Sequence, residues 1–167
     1  NVGTFNLGTG TNFNTMYLAN AVVTNETEGT LVSNGLAISS DGNANNMLHN
    51  KGLLKKLGNF EKSFATPFTN IGTIAAEVGI LTFNTTRYLE TGTYNVSEGA
   101  TLQTTGNGGN LKGTWSGTNN GTFLLNGNNN VSIATDVVTN EITGNGISFT
   151  TGNLSGPGAF INKTVFT

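Results

Sequence analysis

A glycine, a small residue and a large apolar residue recur together along this chain. They stand at Gly3-Thr4-Phe5, Gly29-Thr30-Leu31, Gly52-Leu53-Leu54, Gly72-Thr73-Ile74, Gly92-Thr93-Tyr94 and Gly113-Thr114-Trp115, in steps of 26, 23, 20, 20 and 21 residues. Elsewhere large apolar side chains fall two apart, as in Leu36-Ala37-Ile38, Val131-Ser132-Ile133 and Ile147-Ser148-Phe149. A period of two puts the apolar set on one face of a strand, whereas a helix would carry an i, i+3, i+4 stripe. Self-similarity at a spacing of about 20–50 residues marks solenoids, propellers and arrays. The pattern predicts an all-β chain wound as a parallel β-helix (β-solenoid), with about 20 residues and three short strands per coil and roughly seven to eight coils. Gly and Asn would occupy the corners, where φ > 0 is tolerated. Inward Phe, Leu, Ile and Val would stack in columns, and outward Thr and Asn would form polar ladders. An antiparallel sandwich also uses short alternating strands, but it leaves the 20-residue beat unexplained. The stretch from Asn45 to Leu57 has the one helix-like pattern; Gly52 in its middle and the match of Leu54 to Ile74 make it strand.

A longer correspondence overlies the beat. Residues 66–74 read TPFTNIGTI, and joining the end of the chain to its start gives TVFTNVGTF from Thr164, Val165, Phe166, Thr167, Asn1, Val2, Gly3, Thr4 and Phe5. Those nine residues are the expected self-assembly ends, of either one period of a covalent tandem array or a subunit built to stack into a filament. Within the chain, Asn1–Phe5 aligns with Asn70–Ile74, Phe13-Asn14-Thr15 with Phe83-Asn84-Thr85, Tyr17-Leu18 with Tyr88-Leu89, and Glu28–Leu31 with Glu98–Leu102. Residues 1–167 therefore read as a single solenoid segment with an internal duplication, 1–69 and 70–167.

Composition narrows the function classes. Nearly half of the chain is Gly, Asn or Thr, only 10% is charged, and the net charge is −2. Ten Phe, one Trp and regularly placed aliphatics separate it from a disordered tract, which is poor in aromatics and high in net charge. Its six Lys are scattered and Arg87 is the only Arg, so nucleic acid finds no basic patch. No apolar run approaches the roughly 18 residues that span a bilayer. The lack of an initiator Met and of a signal peptide fits a mature or excised segment. Zero Cys excludes thiolate metal sites and disulfides. Low charge, abundant Asn and Thr and no Cys together favour an extracellular or cell-surface location, in a bacterial surface or secreted protein.

The stretch from Asn50 to Phe83 (NKGLLKKLGNFEKSFATPFTNIGTIAAEVGILTF) resembles repeats of haemagglutinin-like and autotransporter-adhesin-like bacterial surface proteins. Their phrases N-x-G-T-hydrophobic and G-x-L-x-hydrophobic alternate in the same way, and Gly152–Asn162 is similar to their G-x-L-x-G-x-G phrase. The resemblance is periodic and covers most of the chain. It implies a right-handed parallel β-helix outside the cell, used for adhesion, matrix building or display. It carries over no active site, because the matching positions are corners and core.

The chemistry-bearing residues are sparse. β-Helix enzymes that act on acidic polysaccharides need several acids and Lys or Arg on one face; here nine acids are thinly spread. Arg87 and Glu90, three apart, read as a surface pair, and His49 as a solvated loop histidine. Asp41, Asn43 and Asn45 have the i, i+2, i+4 oxygen spacing of a calcium loop, but the Gly and Glu of the helix-loop-helix version are missing, so a polar corner is the plainer reading. Seven N-x-S/T sequons, among them Asn25-Glu26-Thr27 and Asn153-Leu154-Ser155, mark candidate glycosylation sites. Thr9-Gly10-Thr11 and Thr91-Gly92-Thr93 invite an ice-binding reading that the uneven coil spacing disfavours. The expected protein is not an enzyme and takes no cofactor. It is a structural module of an extracellular fibre or large adhesin, with identical copies end to end as partners, surface glycans as a further class, and no nucleic acid or membrane insertion. The alternative is a carbohydrate-binding or polysaccharide-modifying β-helix that uses Trp115 or Tyr94.

Overall fold

The computed structural model describes residues 1–8, 15–84, 87–106, 109–125 and 130–167. Every described strand pairing is parallel, which decides against the sandwich. The chain is a parallel β-solenoid with about 22 residues per turn. Its first face stacks Thr4–Leu7, Thr30–Ser33, Leu53–Lys56, Thr73–Ala76 and Gly92–Val96. The second stacks Thr15–Leu18, Ala37–Ser40, Lys62–Ala65, Ile80–Phe83, Thr101–Thr104, Thr122–Leu125 and Ser148–Phe149, so about six turns separate its first strand from its last. The third begins with Val22–Asn25, Met47–Asn50, Phe68–Asn70 and Arg87–Leu89. Two long strands, Gly109–Ser116 and Asn130–Asn140, run round the corner and pair on both the third face and the first. The first and third faces thereby become one 15-stranded sheet beside the 7-stranded second face.

The glycine beat sets the register of the first face. Thr4, Thr30, Leu53, Thr73 and Thr93 lie in one row, and the next residues form the column Phe5, Leu31, Leu54, Ile74 and Tyr94. Of these only Phe5, at the end of the column, is exposed. Each buried aliphatic side chain contributes roughly 1.5–3 kcal/mol. The sixth member of the beat slips: Trp115 pairs with Gly92, two places from Tyr94, although its ring stays in the core 5.8 Å from that of Tyr94. On the second face Met16, Ile38, Phe64 and Phe83 form another column, and Phe68 from the third face stacks on Phe83 at 4.3 Å. The stretch from Asn45 to Leu57 is strand as expected, in Met47–Asn50 and Leu53–Lys56.

Three of the beat glycines are needed for closeness rather than for φ. A Cβ on Gly29 would strike the Asn1 carbonyl and Asn25 Oδ1; on Gly52 it would strike the Glu26 and Gly29 carbonyls, and on Gly72 the Gly52 carbonyl. None of the three has positive φ. Left-handed φ falls instead at the first-to-second corner, at Gly58 (80°) and Gly79 (71°). Each coil's corner therefore sits against the backbone of the coil before it, where no side chain fits. Gly52→Ala and Gly72→Ala are each expected to lower stability by about 1–3 kcal/mol in urea unfolding. Gly3→Ala, which has no neighbouring atom within 4 Å, serves as the control and should change little.

Candidate functional site: the asparagine corner and the coil ends

Asparagines at the third-to-first corner form a ladder through the interior. Asn1 Nδ2 donates to Asn25 Oδ1 at 3.0 Å, Asn25 Nδ2 to Asn50 Oδ1 at 2.8 Å, and Asn50 Nδ2 to Asn70 Oδ1 at 2.7 Å. Each of these amides also donates to a carbonyl of the following coil: Thr30, Leu53 and Thr73 in turn. Asn25, Asn50 and Asn70 are buried, so the ladder supplies partners that water cannot. The Asn25 sequon is closed to modification for the same reason. A second buried amide, Asn140, repeats the device nearer the other end, donating to Asn162 Oδ1 at 2.8 Å and Thr164 Oγ1 at 3.1 Å.

The two predicted ends lie in the first and last coils and do not meet within the chain. At the start, Val2 is 76% exposed and Phe5 47%, and the N-terminal ammonium donates to the Thr24 carbonyl at 2.6 Å. At the finish, Phe166 bridges Ile147, Thr167 N donates to the Ile147 carbonyl at 3.0 Å, and Val165 is 46% exposed. Asn1–Phe5 holds the same coil position as Asn70–Ile74, in ladder and register alike. Thr164–Thr167 does not hold that of Thr66–Thr69. Phe166 stands on the second face, in the row of Lys62, Leu81, Leu102 and Ile147, whereas Phe68 stands on the third. From Lys62 to Asn70 the chain takes eight residues; from Phe166 through Thr167 to a directly joined Asn1 it would take two. The likeness across the termini is one of sequence and not of place in the coil.

Beyond Asn1–Phe5, the described parts of the proposed duplication likewise differ in place in the coil. Tyr17-Leu18 lies on the second face and Tyr88-Leu89 on the third; Thr30-Leu31 lies on the first and Thr101-Leu102 on the second. Phe13-Asn14, Thr85 and the Thr9-Gly10-Thr11 motif fall outside the described residues.

The weaker candidates resolve into packing. Asp41 Oδ1 accepts from Asn43 N at 2.9 Å, Asn43 Oδ1 accepts from Asn45 N at 2.9 Å, and Asn45 Nδ2 donates to Asn20. Those oxygens turn to their own loop, a polar corner closed by buried Asn46. Among the described residues no group of three or more His, Cys, Asp or Glu could hold a metal. His49 is a strand residue rather than a loop one, half-buried, with Nδ1 2.7 Å from Thr69 Oγ1 in the next coil. Glu90 pairs with Lys112 at 3.2 Å; the Arg87 side chain lies outside the described residues. This pair and Lys51–Glu26, Lys55–Glu77 and Lys163–Glu141 all link neighbouring coils, and such exposed pairs contribute under about 1 kcal/mol each.

Sequence reasoning missed two buried lysines. Lys56 and Lys62 are both buried. Burial holds the Lys56 ammonium down to about 8 from its ordinary 10.5, and the Lys62 charge adds to the push. Trp115 and Tyr94 are wholly buried. Burial pushes the Tyr94 hydroxyl well above its ordinary range; a hydrogen bond with Asn70 works against this, and Glu90 adds to it. Alternation with Leu54 and Phe64 is the signal that sets these lysines on the inward side. The position of Tyr94 in the glycine beat did mark it as core.

No protein-family model matches the chain, and no curated protein and no solved structure is similar to it beyond chance. The fold alone defines its class, the parallel β-solenoids.

The two shifts give opposite pH dependences. Between about pH 8 and 10.5 the unfolded chain holds the Lys56 proton that the folded chain has released, so stability rises with pH. Above about pH 10 the unfolded chain loses the Tyr94 proton that the folded chain keeps, so stability falls. Urea unfolding from pH 7 to 11 should show a rise on the order of 1–2 kcal/mol followed by a fall. Lys56→Met should remove the rise, and Tyr94→Phe the fall.

Proposed function

We propose that this chain is a structural module of an extracellular fibre or large surface adhesin, a rigid rod that stacks end to end with identical neighbours. The observation that carries this reading is a core left open at both ends. At each end one inward side chain on every face is left partly uncovered, although Leu7 and Leu18 in the first coil are buried. At the start these are Phe5, Met16 and Val23, in register with buried Leu31, Ile38 and Leu48. At the finish they are Leu154, Phe160 and Phe166. Each end also presents strand edges with unused backbone donors and acceptors, the usual template for another chain. A head-to-tail contact between unlike ends propagates as a filament where its rotation does not close into a ring. The kinship to haemagglutinin-like and autotransporter-like adhesins, and the location outside the cell, belong to this proposal and rest on the repeat phrases and on low charge without Cys.

A second reading, carbohydrate binding, has one observation in its favour. A shallow hollow of about 320 Å³ on the first face is lined by Thr73, Thr91, Thr93, Thr114 and Ser116 beside Ile71. Burial of Trp115 and Tyr94 removes the aromatic platforms on which this reading first relied.

Sedimentation velocity across a hundredfold concentration range, with negative-stain microscopy, tests the stacking. The expected result is concentration-dependent rods that Phe5→Asp and Phe166→Asp each shorten or abolish while both variants remain folded. A monodisperse 17.3 kDa species at every concentration would sink the proposal. Loss of binding to a neutral glycan panel on Thr93→Ile would favour the second reading instead.

A further inference from the structure

We propose that the corner formed by Leu57, Gly58 and Val78 is a monovalent-cation site, and that the protein fills it with the ammonium group of its own Lys56. Lys56 Nζ donates to the carbonyls of Leu57 at 2.6 Å, Gly58 at 2.6 Å and Val78 at 3.2 Å. Three carbonyls from two successive coils thus converge on one point. The stem reaches that point through the core: Lys56 is fully buried and stands in register between Ser33 and Ala76, both small. Gly58, at φ 80°, makes the turn that carries two of the oxygens.

No carboxylate balances this charge among the hydrogen bonds to Nζ. The charged groups around it are accounted for elsewhere. Lys62 repels it, Glu77 beside Val78 is held by Lys55 at 2.8 Å, and Glu61 accepts from Thr82 at 2.7 Å. Among the described residues, peptide dipoles alone hold the cation. Converging carbonyls with no counter-charge are the donor set that replaces the hydration shell of potassium or ammonium. A divalent ion would call for carboxylates. With the ammonium removed, the three oxygens would face one another without a donor, which costs free energy in a buried place. An ion of similar size and charge can take its place.

Lys56→Met tests this, because methionine keeps a stem of similar length and deletes the charged group. In choline chloride the variant should unfold at a lower temperature than the parent chain. Potassium or ammonium chloride at equal ionic strength should raise its midpoint by about 5 °C. The parent chain, already occupied, should show no difference between the salts. If Lys56→Met does not fold, Lys56→Ala, with room for an ion and part of its water shell, is measured in the same way. Failure of both variants to gain stability from potassium or ammonium over choline overturns the proposal. So does an equal gain in the parent chain.

Discussion

The structure depends on each coil lying over the last with its backbone in register, so that equivalent side chains meet in columns. The constraint is sharpest at the third-to-first corner, where successive turns approach so closely that Gly29, Gly52 and Gly72 have no room for a Cβ. Such closeness brings carbonyls together in a place water does not reach, and the Asn25, Asn50 and Asn70 amides are set there to satisfy them. Glycine and asparagine are thus two parts of one solution. Glycine permits the approach, and asparagine supplies the hydrogen bonds that the approach makes necessary. The apolar columns then follow, because a fixed corner places Leu31, Leu54, Ile74 and Tyr94 above one another.

Where this corner chemistry lapses, the coil changes. After Asn70 the ladder position passes to Leu89 and Leu111, and the buried Tyr94, whose hydroxyl donates to the Glu90 carbonyl at 3.2 Å, ends the first series. Within two coils the register shifts between Leu111 and Gly113, and the two long strands bend across the corner. Asn140 and Asn162 restart an amide ladder there, with Glu141–Lys163 beside it as Glu26–Lys51 stands beside the first. The solenoid therefore has two amide-stapled stretches joined by an aromatic one, in which Tyr94, Trp115 and Phe160 carry the packing. Buried amides fix register through directional bonds. Stacked rings tolerate a slip because their attraction is spread over area.

The same contrast explains what was legible in the sequence. Gly72-Thr73-Ile74 and its relatives could be read because close backbone approach admits a single residue type, which leaves a mark in any one sequence. The slip at Trp115 could not, since Gly113-Thr114-Trp115 repeats the phrase while the register moves by two. The sequence correspondence between 1–69 and 70–167 does not carry over into coil position beyond Asn1–Phe5 for a related reason. All three corners of a coil demand similar small and polar residues, so Glu28–Leu31 and Glu98–Leu102 look alike while turning different corners. Lys56 and Lys62 stand two places from Leu54 and Phe64, on the inward side by alternation, but a charged residue there was not read as core because burying an unpaired charge is costly. Only the coordinates of Leu57, Gly58 and Val78 show an interior partner for Lys56.

For the ends, this logic separates what any neighbour must offer from what the sequence likeness suggested. A copy continuing the first face at Asn1 needs a corner whose amide and carbonyls meet the ladder, since among the described residues Asn1 Oδ1 accepts only from Gly3 N, at 3.2 Å. The last coil, which reaches the second face at Phe166, does not present that corner through Thr167. The proposed stacking would then draw on the uncovered apolar columns and strand edges, with Phe5 and Phe166 as the large side chains nearest the joint, and on Asn162, the last rung of the second ladder. Apolar contact sets strength without fixing register, as the Tyr94–Trp115 layer shows inside the rod. A joint built on apolar contact alone would permit small angular offsets between modules, whereas one built on the asparagine corner would hold them at a single angle.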